Sequence, residues 1–318
     1  MRFWVRSCLS LVALIGVVSG EAYSQSARER ANRDTVGVMG GSVRGTYSRF
    51  AQDMANALDK EGKLRIIAQL GRGSQQNIAD LLWLRGVDAA IVQSDVLTGV
   101  RGGLPGVKDI GGKIHYIMKL YNEEIHVLAA PGVIGLKELD GEKVSTGGKG
   151  SGTAMTAGIM FKSLGLEIQP VSMSNTEAVS AVRKGQIKAA VFVVGKPAAY
   201  FADVTLGEGV SFIKIEIDRQ LEELGYLSSS LTAADYPSII PKGQSVETIA
   251  VGAVLAAYNW KPASSRYGRV KLFTERLITE LPRLQQGGAF HKKWRDVDPL
   301  ATVPGWTRLK AAQQIVAQ

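Results

Sequence analysis

The chain has 318 residues, which exceeds one ordinary hydrophobic core and favours two lobes of roughly 100–200 residues each. Hydrophobic residues make up 45% of it and charged residues 21%, proportions typical of a soluble globular protein. The net charge is +9, but the basic residues are dispersed and no aromatic stacking platform accompanies them, so no nucleic-acid partner is expected.

Residues 1–24 have the pattern of a cleavable secretory signal peptide. Arg2 and Arg6 form a basic start, an apolar run covers residues 8–18, and small residues follow. The apolar run is too short to span a bilayer, and Cys8 stands at its start rather than at its end, as a lipoprotein would require. We therefore expect export to the periplasm. Because Cys8 is the only cysteine, the mature chain is expected to have no disulfide and no thiolate metal site.

The first predicted βα unit contains a glycine-rich loop. Thr35–Met39 is an apolar run typical of a strand, residues 40–45 form a loop with three glycines, and a helix is predicted over 46–62. A helix start offers unpaired N–H groups and the positive end of the helix dipole, which favours an anion. Equally, the loop could be a tight connection between strand and helix that binds no ligand. The loop lacks the lysine of a P-loop, so a nucleoside triphosphate is not expected.

Two further strand ends in this half carry small or polar residues. A strand predicted over 64–70 leads into a loop and a helix from Ser74 to about 85, and a buried strand over 87–92 ends in Gln93, Ser94 and Asp95. In open α/β sheets the ligand crevice lies outside the carboxyl ends of the strands. Three such strand ends therefore predict one shared ligand site.

The second half repeats this architecture. Strands are predicted over 114–120, 124–130, 143–146, 171–173, 187–194, 210–217 and 248–258, and helices from about 153 to 165, over 175–183, after Pro197, over 218–224 and over 267–281. A second glycine-rich loop, residues 147–153, precedes the first of these helices. It would face the first loop across a cleft if the two lobes oppose each other. The C-terminal segment, with Trp294 and Trp306, is expected to pack against the first lobe.

Two series of βα units with a returning chain predict an α/β fold of two lobes, each a sheet flanked by helices, with a ligand cleft between them. The expected boundaries are 35–125 plus 250–318 for the first lobe and 126–249 for the second. The chain is expected to cross between the lobes near 125–129 and 249–253.

Several segments, taken together, resemble a known family, the TAXI solute-binding proteins of TRAP transporters. They occur in the family's order over about residues 35–205, and together they are far more specific than any single glycine motif. The segments are Gly-Val-Met-Gly-Gly-Ser-Val-Arg-Gly-Thr-Tyr (37–47), Gly-Ser-Gln-Gln-Asn (73–77), Val-Asp-Ala-Ala-Ile-Val-Gln-Ser-Asp (87–95), Glu-Ile-His-Val-Leu (124–128), Leu-Lys-Glu-Leu-Asp-Gly-Glu-Lys-Val (136–144), Gly-Ser-Gly-Thr (150–153) and Gly-Lys-Pro (195–197).

The resemblance implies a periplasmic-binding-protein fold, type II-like, that closes on a small carboxylate or amino-acid-like solute. The closed form would deliver this solute to TRAP-type permease subunits driven by an ion gradient. A monomer without a cofactor is expected. Carried over by position, the ligand-binding residues would be Gly41, Ser42, Tyr47, Ser74, Asn77, Gln93, Ser94, Asp95, Ser151, Gly152, Thr153, Gly195 and Pro197.

Several of these residues have competing interpretations. Tyr47 could cover the ligand or only pack at a helix start. Asp95 could bind an ammonium group of the ligand or cap the next helix. Arg44 and Arg72 could pair with an acidic ligand or lie exposed on loop rims, as charged residues mostly do.

An enzyme on the same fold, acting on a small phosphorylated or anionic substrate, is the alternative function. The three histidines are well separated, so a metal site is not expected. Ser151 lacks the G-x-S-x-G spacing of a nucleophile elbow. Glu123 and Glu124 are adjacent on a predicted strand and should point to opposite faces, whereas general acid–base catalysis needs both in one site. These residues favour a binding protein over an enzyme.

Overall fold

The computed structural model describes residues 32, 34–59, 64–100, 104 and 107–316, so the predicted signal peptide lies outside the described residues. A ten-stranded mixed sheet with helices on both faces forms the centre of this part of the chain. No helix among the described residues is long and apolar enough to cross a membrane.

The elements alternate along the chain as βα units. The strands are β1 (Thr35–Met39), β2 (Arg65–Gln69), β3 (Ala89–Gln93), β4 (Ile114–Ala129), β5 (Lys143–Ser145), β6 (Gln169–Val171), β7 (Ala189–Val194), β8 (Ser211–Phe212), β9 (Leu227–Thr232) and β10 (Ser245–Tyr258). The helices are α1 (Thr46–Leu58), α2 (Ser74–Trp83), α3 (Val96–Gly99), α4 (Gly152–Ser163), α5 (Asn175–Arg183), α6 (Arg219–Glu223), α7 (Ser265–Gln285) and α8 (Lys310–Val316).

Two long antiparallel strands, β4 and β10, lie side by side in the middle of the sheet, whose order is β2-β1-β3-β10-β4-β7-β5-β6. On one side β1 pairs in parallel with β2 and β3, and on the other β5 pairs in parallel with β6 and β7. Residues 253–257 of β10 pair with β3, whereas residues 124–129 of β4 pair with β7. The two long strands therefore connect two half-sheets.

Each half-sheet has its own buried clusters on both faces. In the first half, Phe50 of α1 stacks on Trp294 with ring centroids 4.2 Å apart, and Phe273 of α7 joins the same cluster. In the second half, Phe192 of β7 meets Phe201 edge to face at 5.0 Å. Burial of such rings stabilises each half separately, so the described chain forms two lobes.

The C-terminal segment packs on the first lobe as expected. Trp294 is fully buried there, and its indole nitrogen donates to Asp53 on α1 at 3.0 Å. Trp306 lies in the cluster on the opposite face of the same half-sheet, and its indole nitrogen donates to the carbonyl of Ser94 at 2.8 Å. Trp294 and Trp306 thus anchor the C-terminal segment to the first lobe.

Some predicted elements were wrong in extent. The strands predicted over 114–120 and 124–130 are one strand, β4, because Asn122 and Glu123 between them pair with β10. In place of the strand predicted over 210–217 the structure has the two-residue strand β8 (Ser211–Phe212). In place of the helix predicted after Pro197 it has a 3-10 turn at Ala199–Phe201. Strand β9 was not predicted, since its serine-rich sequence has no clear alternation of apolar and polar residues.

Candidate functional site

A cavity of about 90 Å³ lies between the two lobes, where the loops after β1 and β2 face the loop after β5. Residues of both lobes form its wall. They are Gly41, Ser42, Gly45, Thr46, Tyr47, Gly73, Ser74, Gln93, Glu123, Ser151, Gly152, Thr153, Asn175, Val193, Val194 and Tyr200.

Four helices begin at this cavity, since the first residues of α1, α2, α4 and α5 are all part of its wall. The first N–H groups of a helix have no partner within the helix, and the helix dipole places positive potential there. The convergence of four such starts makes the cavity favourable for an anionic group of a ligand.

The lobes approach each other closely beside the cavity. Gly73, which precedes α2, has a φ of 114°, and a Cβ atom added there would lie 3.1 Å from the Cα atom of Ser151. Such a φ is rarely adopted by residues with side chains. At the rim, the hydroxyl groups of Ser42 and Tyr200 are hydrogen-bonded at 2.8 Å. The structure is therefore that of a closed arrangement of the lobes.

The structure brings most of the predicted site residues together around the cavity. Tyr47 is 8% exposed and forms part of the wall, so it packs at the start of α1 and also borders the cavity. Ser151 also caps α4, accepting a hydrogen bond from the Ala154 N–H at 3.2 Å. The predicted residues in the wall are Gly41, Ser42, Tyr47, Ser74, Gln93, Ser151, Gly152 and Thr153.

Five predicted residues are not part of the wall: Asn77, Ser94, Asp95, Gly195 and Pro197. The Asn77 side chain donates to the carbonyls of Gly40 and Ile91 at 2.7 and 2.8 Å, which holds the first loop onto β3. The hydroxyl of Ser94 accepts from the Gly252 N–H at 3.2 Å. These two side chains support the strands beneath the cavity.

Gly195 and Pro197 lie just beyond the cavity. A Cβ atom added to Gly195 would be 3.1 Å from the ring of Tyr121, so this glycine allows close packing of β7 on the first lobe. Pro197 follows a cis peptide bond from Lys196.

Asp95 joins the two lobes instead of facing the cavity. Its Oδ2 atom accepts hydrogen bonds from the hydroxyls of Thr156 on α4 at 2.7 Å and Tyr226 at 2.8 Å, both in the second lobe. Oδ1 is buried without a partner. Burial raises the pKa of this carboxyl to about 6, although both hydroxyls act against the shift. Asp95 therefore acts as a buried contact between closed lobes.

Glu123 is a wall residue that is not among the ligand-binding residues predicted from the sequence. It is 3% exposed, and its Oε2 atom accepts a hydrogen bond from the Tyr47 hydroxyl at 2.5 Å. Glu124 points the other way, to Lys293 at 3.1 Å and to the Lys196 N–H at 2.9 Å. The two carboxylates do lie on opposite faces, as expected, but one of those faces is the cleft. The available signal was the Glu123–Glu124 pair itself, since adjacent positions on a strand place one carboxylate on each face.

The remaining candidates do not form a catalytic or metal-binding group among the described residues. Arg44 and Arg72 are exposed and are not part of the cavity wall. In the described part of the chain, no group of three histidine, cysteine, aspartate or glutamate side chains could hold a metal ion. No histidine lines the cavity beside Ser151. The described side chains offer hydrogen-bond donors and one carboxylate to a ligand.

Comparisons with known proteins agree with this architecture. The model of the NMT1-like family matches residues 38–297. A protein of known structure from Bordetella bronchiseptica RB50 shares 15% identity over 89% of each chain, with a TM-score of 0.52. A structure described as a periplasmic transporter shares 16% identity over 89% of this chain and 93% of its own, with a TM-score of 0.51. These likenesses show a two-lobed periplasmic-binding-protein fold.

Proposed function

Because the chain belongs to the NMT1-like family and has a two-lobed periplasmic-binding-protein fold, we propose that it is an extracytoplasmic solute-binding receptor. It captures a small carboxylate or amino-acid-like solute by closure of the lobes and delivers it to the subunits of a membrane permease. The permease is of the TRAP type, and the receptor belongs to the TAXI group that the sequence motifs resemble.

The cavity between the lobes is the observation that carries this proposal. Four helix starts contribute to its wall, and such starts stabilise a carboxylate through backbone N–H groups without a buried cation. Both lobes supply wall residues, so a ligand in the cavity would contact each of them. A ligand that binds the closed form more tightly than the open form shifts the protein toward closure.

The hinge lies in the two long central strands. β4 changes its pairing from β10 to β7 at Glu124, and β10 changes from β9 to β3 between Ala250 and Ala253. These exchanges support lobe boundaries at 35–125 plus 250–318 and 126–249, with crossings near 125–129 and 249–253. Rotation about two adjacent strands would open the cleft while each buried cluster stays intact.

Export supports the periplasmic location and the permease partner. Residues 1–24 have the pattern of a signal peptide, and a receptor released outside the cytoplasm can import a solute only through a partner that crosses the membrane. The order of the TAXI-like segments over about residues 35–205 supports the TRAP type.

A ligand screen tests the proposed function. Mature protein is unfolded and refolded to remove any carried ligand, then heated with amino acids, mono- and dicarboxylates and phosphorylated metabolites. A ligand at about one hundred times its Kd adds roughly 2.7 kcal/mol of stability. We expect a higher Tm with one carboxylate or amino-acid class, and a smaller radius of gyration in solution scattering. A shift given only by phosphorylated compounds would support the enzyme alternative, and unchanged scattering with a tight ligand would contradict closure.

A further inference from the structure

We propose that Glu123 determines which solute this cavity accepts, and that the solute carries an ammonium group, as amino acids do, which binds the free oxygen of the Glu123 carboxylate. This inference rests on the solute-binding function proposed above. From the sequence, Asp95 was a candidate for binding an ammonium group of the ligand, and we now assign this role to Glu123.

The geometry places one carboxylate in the cavity wall with one oxygen available. Glu123 is part of the wall and 3% exposed. Its Oε2 atom is occupied by the Tyr47 hydroxyl, whereas Oε1 has no hydrogen-bond partner among the described residues. Asp95 cannot take this role, because it is bonded to Thr156 and Tyr226 away from the cavity.

No cation of the described chain neutralises Glu123. Lys293 is the cation near it, but its ammonium group is held by Glu124 at 3.1 Å, by Asp296 at 3.4 Å and by the carbonyl of Asn122 at 3.1 Å. A buried carboxylate is costly unless it is paired. A ligand that brings a positive charge would therefore favour the ionised form of Glu123.

The other groups around Glu123 add no positive charge. Tyr47 faces it from α1, Tyr121 and Glu124 lie near it on its own strand, and Asp95 faces it from the end of β3. Burial, together with the nearby Asp95 and Glu124, raises the pKa of the Glu123 carboxyl to about 8, although the Tyr47 hydrogen bond and Lys293 act against this. Before binding, the group is accordingly mostly protonated at pH 7.

The cavity thus offers binding groups for both charges of a zwitterion. Helix starts from both lobes favour the carboxylate of a solute, and Glu123 offers the one acidic side chain in the wall. A zwitterionic amino acid satisfies both. A carboxylate without an amine would satisfy only the helix starts and would leave Glu123 protonated. The cavity volume of about 90 Å³ suits a small compound of this kind.

Binding of an ammonium group has a measurable consequence for protons. The ligand's positive charge favours the ionised carboxylate and lowers the pKa of Glu123, so the carboxyl proton passes to the buffer when an amino acid binds at pH 7. A ligand that lacks the amine leaves this proton on Glu123. The direction of proton exchange thus distinguishes the two ligand classes.

Isothermal titration calorimetry tests the proposal with matched ligands. L-amino acids are compared with the 2-hydroxy acids that carry the same side chains, at pH 7, in two buffers of different ionisation enthalpy. We expect an amino acid to bind at least about 10-fold more tightly than its hydroxy acid, since a hydrogen bond to a charged group is at stake, and to release a proton. A hydroxy acid that binds equally well, or amino-acid binding without proton release, would overturn the proposal.

Two variants separate specificity from folding. Glu123→Gln keeps the size of the side chain and removes its charge, so it should weaken amino-acid binding by roughly 10- to 100-fold and abolish proton release. Glu123→Asp keeps the charge and should retain the preference for the amine. Unchanged affinity in Glu123→Gln, with Tm preserved, would contradict the role of Glu123. If hydroxy acids bind as tightly as amino acids and close the lobes, the proposed function stands without this inference. If no carboxylate or amino acid binds, both fail.

Discussion

Gly152 and Gln93 lie against each other across the cleft, so that a Cβ atom added to Gly152 would be 1.4 Å from Oε1 of Gln93 and 2.7 Å from Oγ of Ser74. Gly152 begins α4 in the second lobe, whereas Gln93 and Ser74 belong to the first. A side chain at position 152 would therefore force the Gln93 side chain, which is hydrogen-bonded to Ser74 and Thr156, to move before the lobes reach this distance.

Gly152→Ala should therefore hinder closure without unfolding either lobe. Overpacking at a well-packed, hydrogen-bonded contact typically costs about 1–3 kcal/mol, so we expect solute affinity to fall roughly 10-fold. Gly148→Ala, in the same loop, is the matched control, because a Cβ atom there meets nothing within 4 Å. Calorimetry and solution scattering of both variants measure the effect. Full closure of Gly152→Ala with wild-type affinity would show that the contact is not limiting.

Asp95 should make stability depend on pH in mildly acidic solution. The pKa of its carboxyl is raised to about 6 in the folded protein, so the protonated group is favoured there. Its contribution to stability is present at low pH and is lost as the pH rises from about 4 through about 6. The change amounts to about 3 kcal/mol, since each pKa unit corresponds to about 1.4 kcal/mol.

Asp95→Asn tests this dependence, because it keeps an oxygen that can accept from Thr156 and Tyr226 but does not titrate. The free energy of unfolding is measured by denaturant titration between pH 4 and 7.5 for both proteins. We expect the wild type to lose stability relative to the variant as the pH rises to about 6 and to stay level above it. Parallel curves would mean that Asp95 is not buried in this way in solution.

The sequence predicted the βα units well because their signals are local. α5 follows Ser174, whose hydroxyl caps it, and the glycines around residues 41 and 150 mark the loops at the cavity. The extent of β4 was missed because pairing of residues 122 and 123 with β10 is a long-range interaction. Local propensity does not contain that information.

The site was predicted less completely, for a related reason. Gln93, Ser94 and Asp95 follow one another at the end of β3. Alternation along a strand places Gln93 and Asp95 on the same side, so the sequence does not say which of the two lines the cavity and which bonds to the second lobe. The structure turns Gln93 to the cavity and Asp95 to the second lobe. Glu123 was missed because the groups that place it at the cleft, the Tyr47 hydroxyl and the second lobe, are distant from it in the sequence.

The hydrogen bond between Ser42 and Tyr200 should affect how long the solute stays bound. It joins the lobes at the rim with an oxygen–oxygen distance of 2.8 Å and is exposed. An exposed neutral hydrogen bond contributes about 0.5–1.5 kcal/mol, so Tyr200→Phe should raise the dissociation rate of the solute up to about 10-fold. Stopped-flow fluorescence measures this rate. The double variant with Ser42→Ala and Tyr200→Phe should dissociate the solute little faster than either single variant. Fully additive effects on the dissociation rate would indicate that the two hydroxyls act separately.

His126 forms the centre of a buried network in the second lobe. Its Nδ1 atom lies 2.9 Å from the carbonyl of Glu124 and its Nε2 atom 2.7 Å from the hydroxyl of Tyr236. The same hydroxyl accepts a hydrogen bond from the Ala198 N–H at 2.9 Å. The carbonyl can only accept, so Nδ1 carries a proton, and in the neutral ring Nε2 then accepts from the Tyr236 hydroxyl. Burial lowers the pKa of His126 to about 3.

This neutral ring should make the protein lose stability in acid. The unfolded chain binds a proton on His126 below about pH 6.5, but the folded chain does not, so the stability present above that pH is lost as the pH falls toward 3. The loss in the free energy of unfolding is roughly 3 kcal/mol by pH 4.5. Because Asp95 changes stability in the opposite direction over the same pH range, the loss is measured as the difference between the wild type and His126→Phe. Tyr236→Phe is the control, because it removes the hydroxyl and keeps the titrating ring. We expect the acid slope to flatten in His126→Phe and to persist in Tyr236→Phe, and equal slopes in both variants would contradict a neutral buried His126.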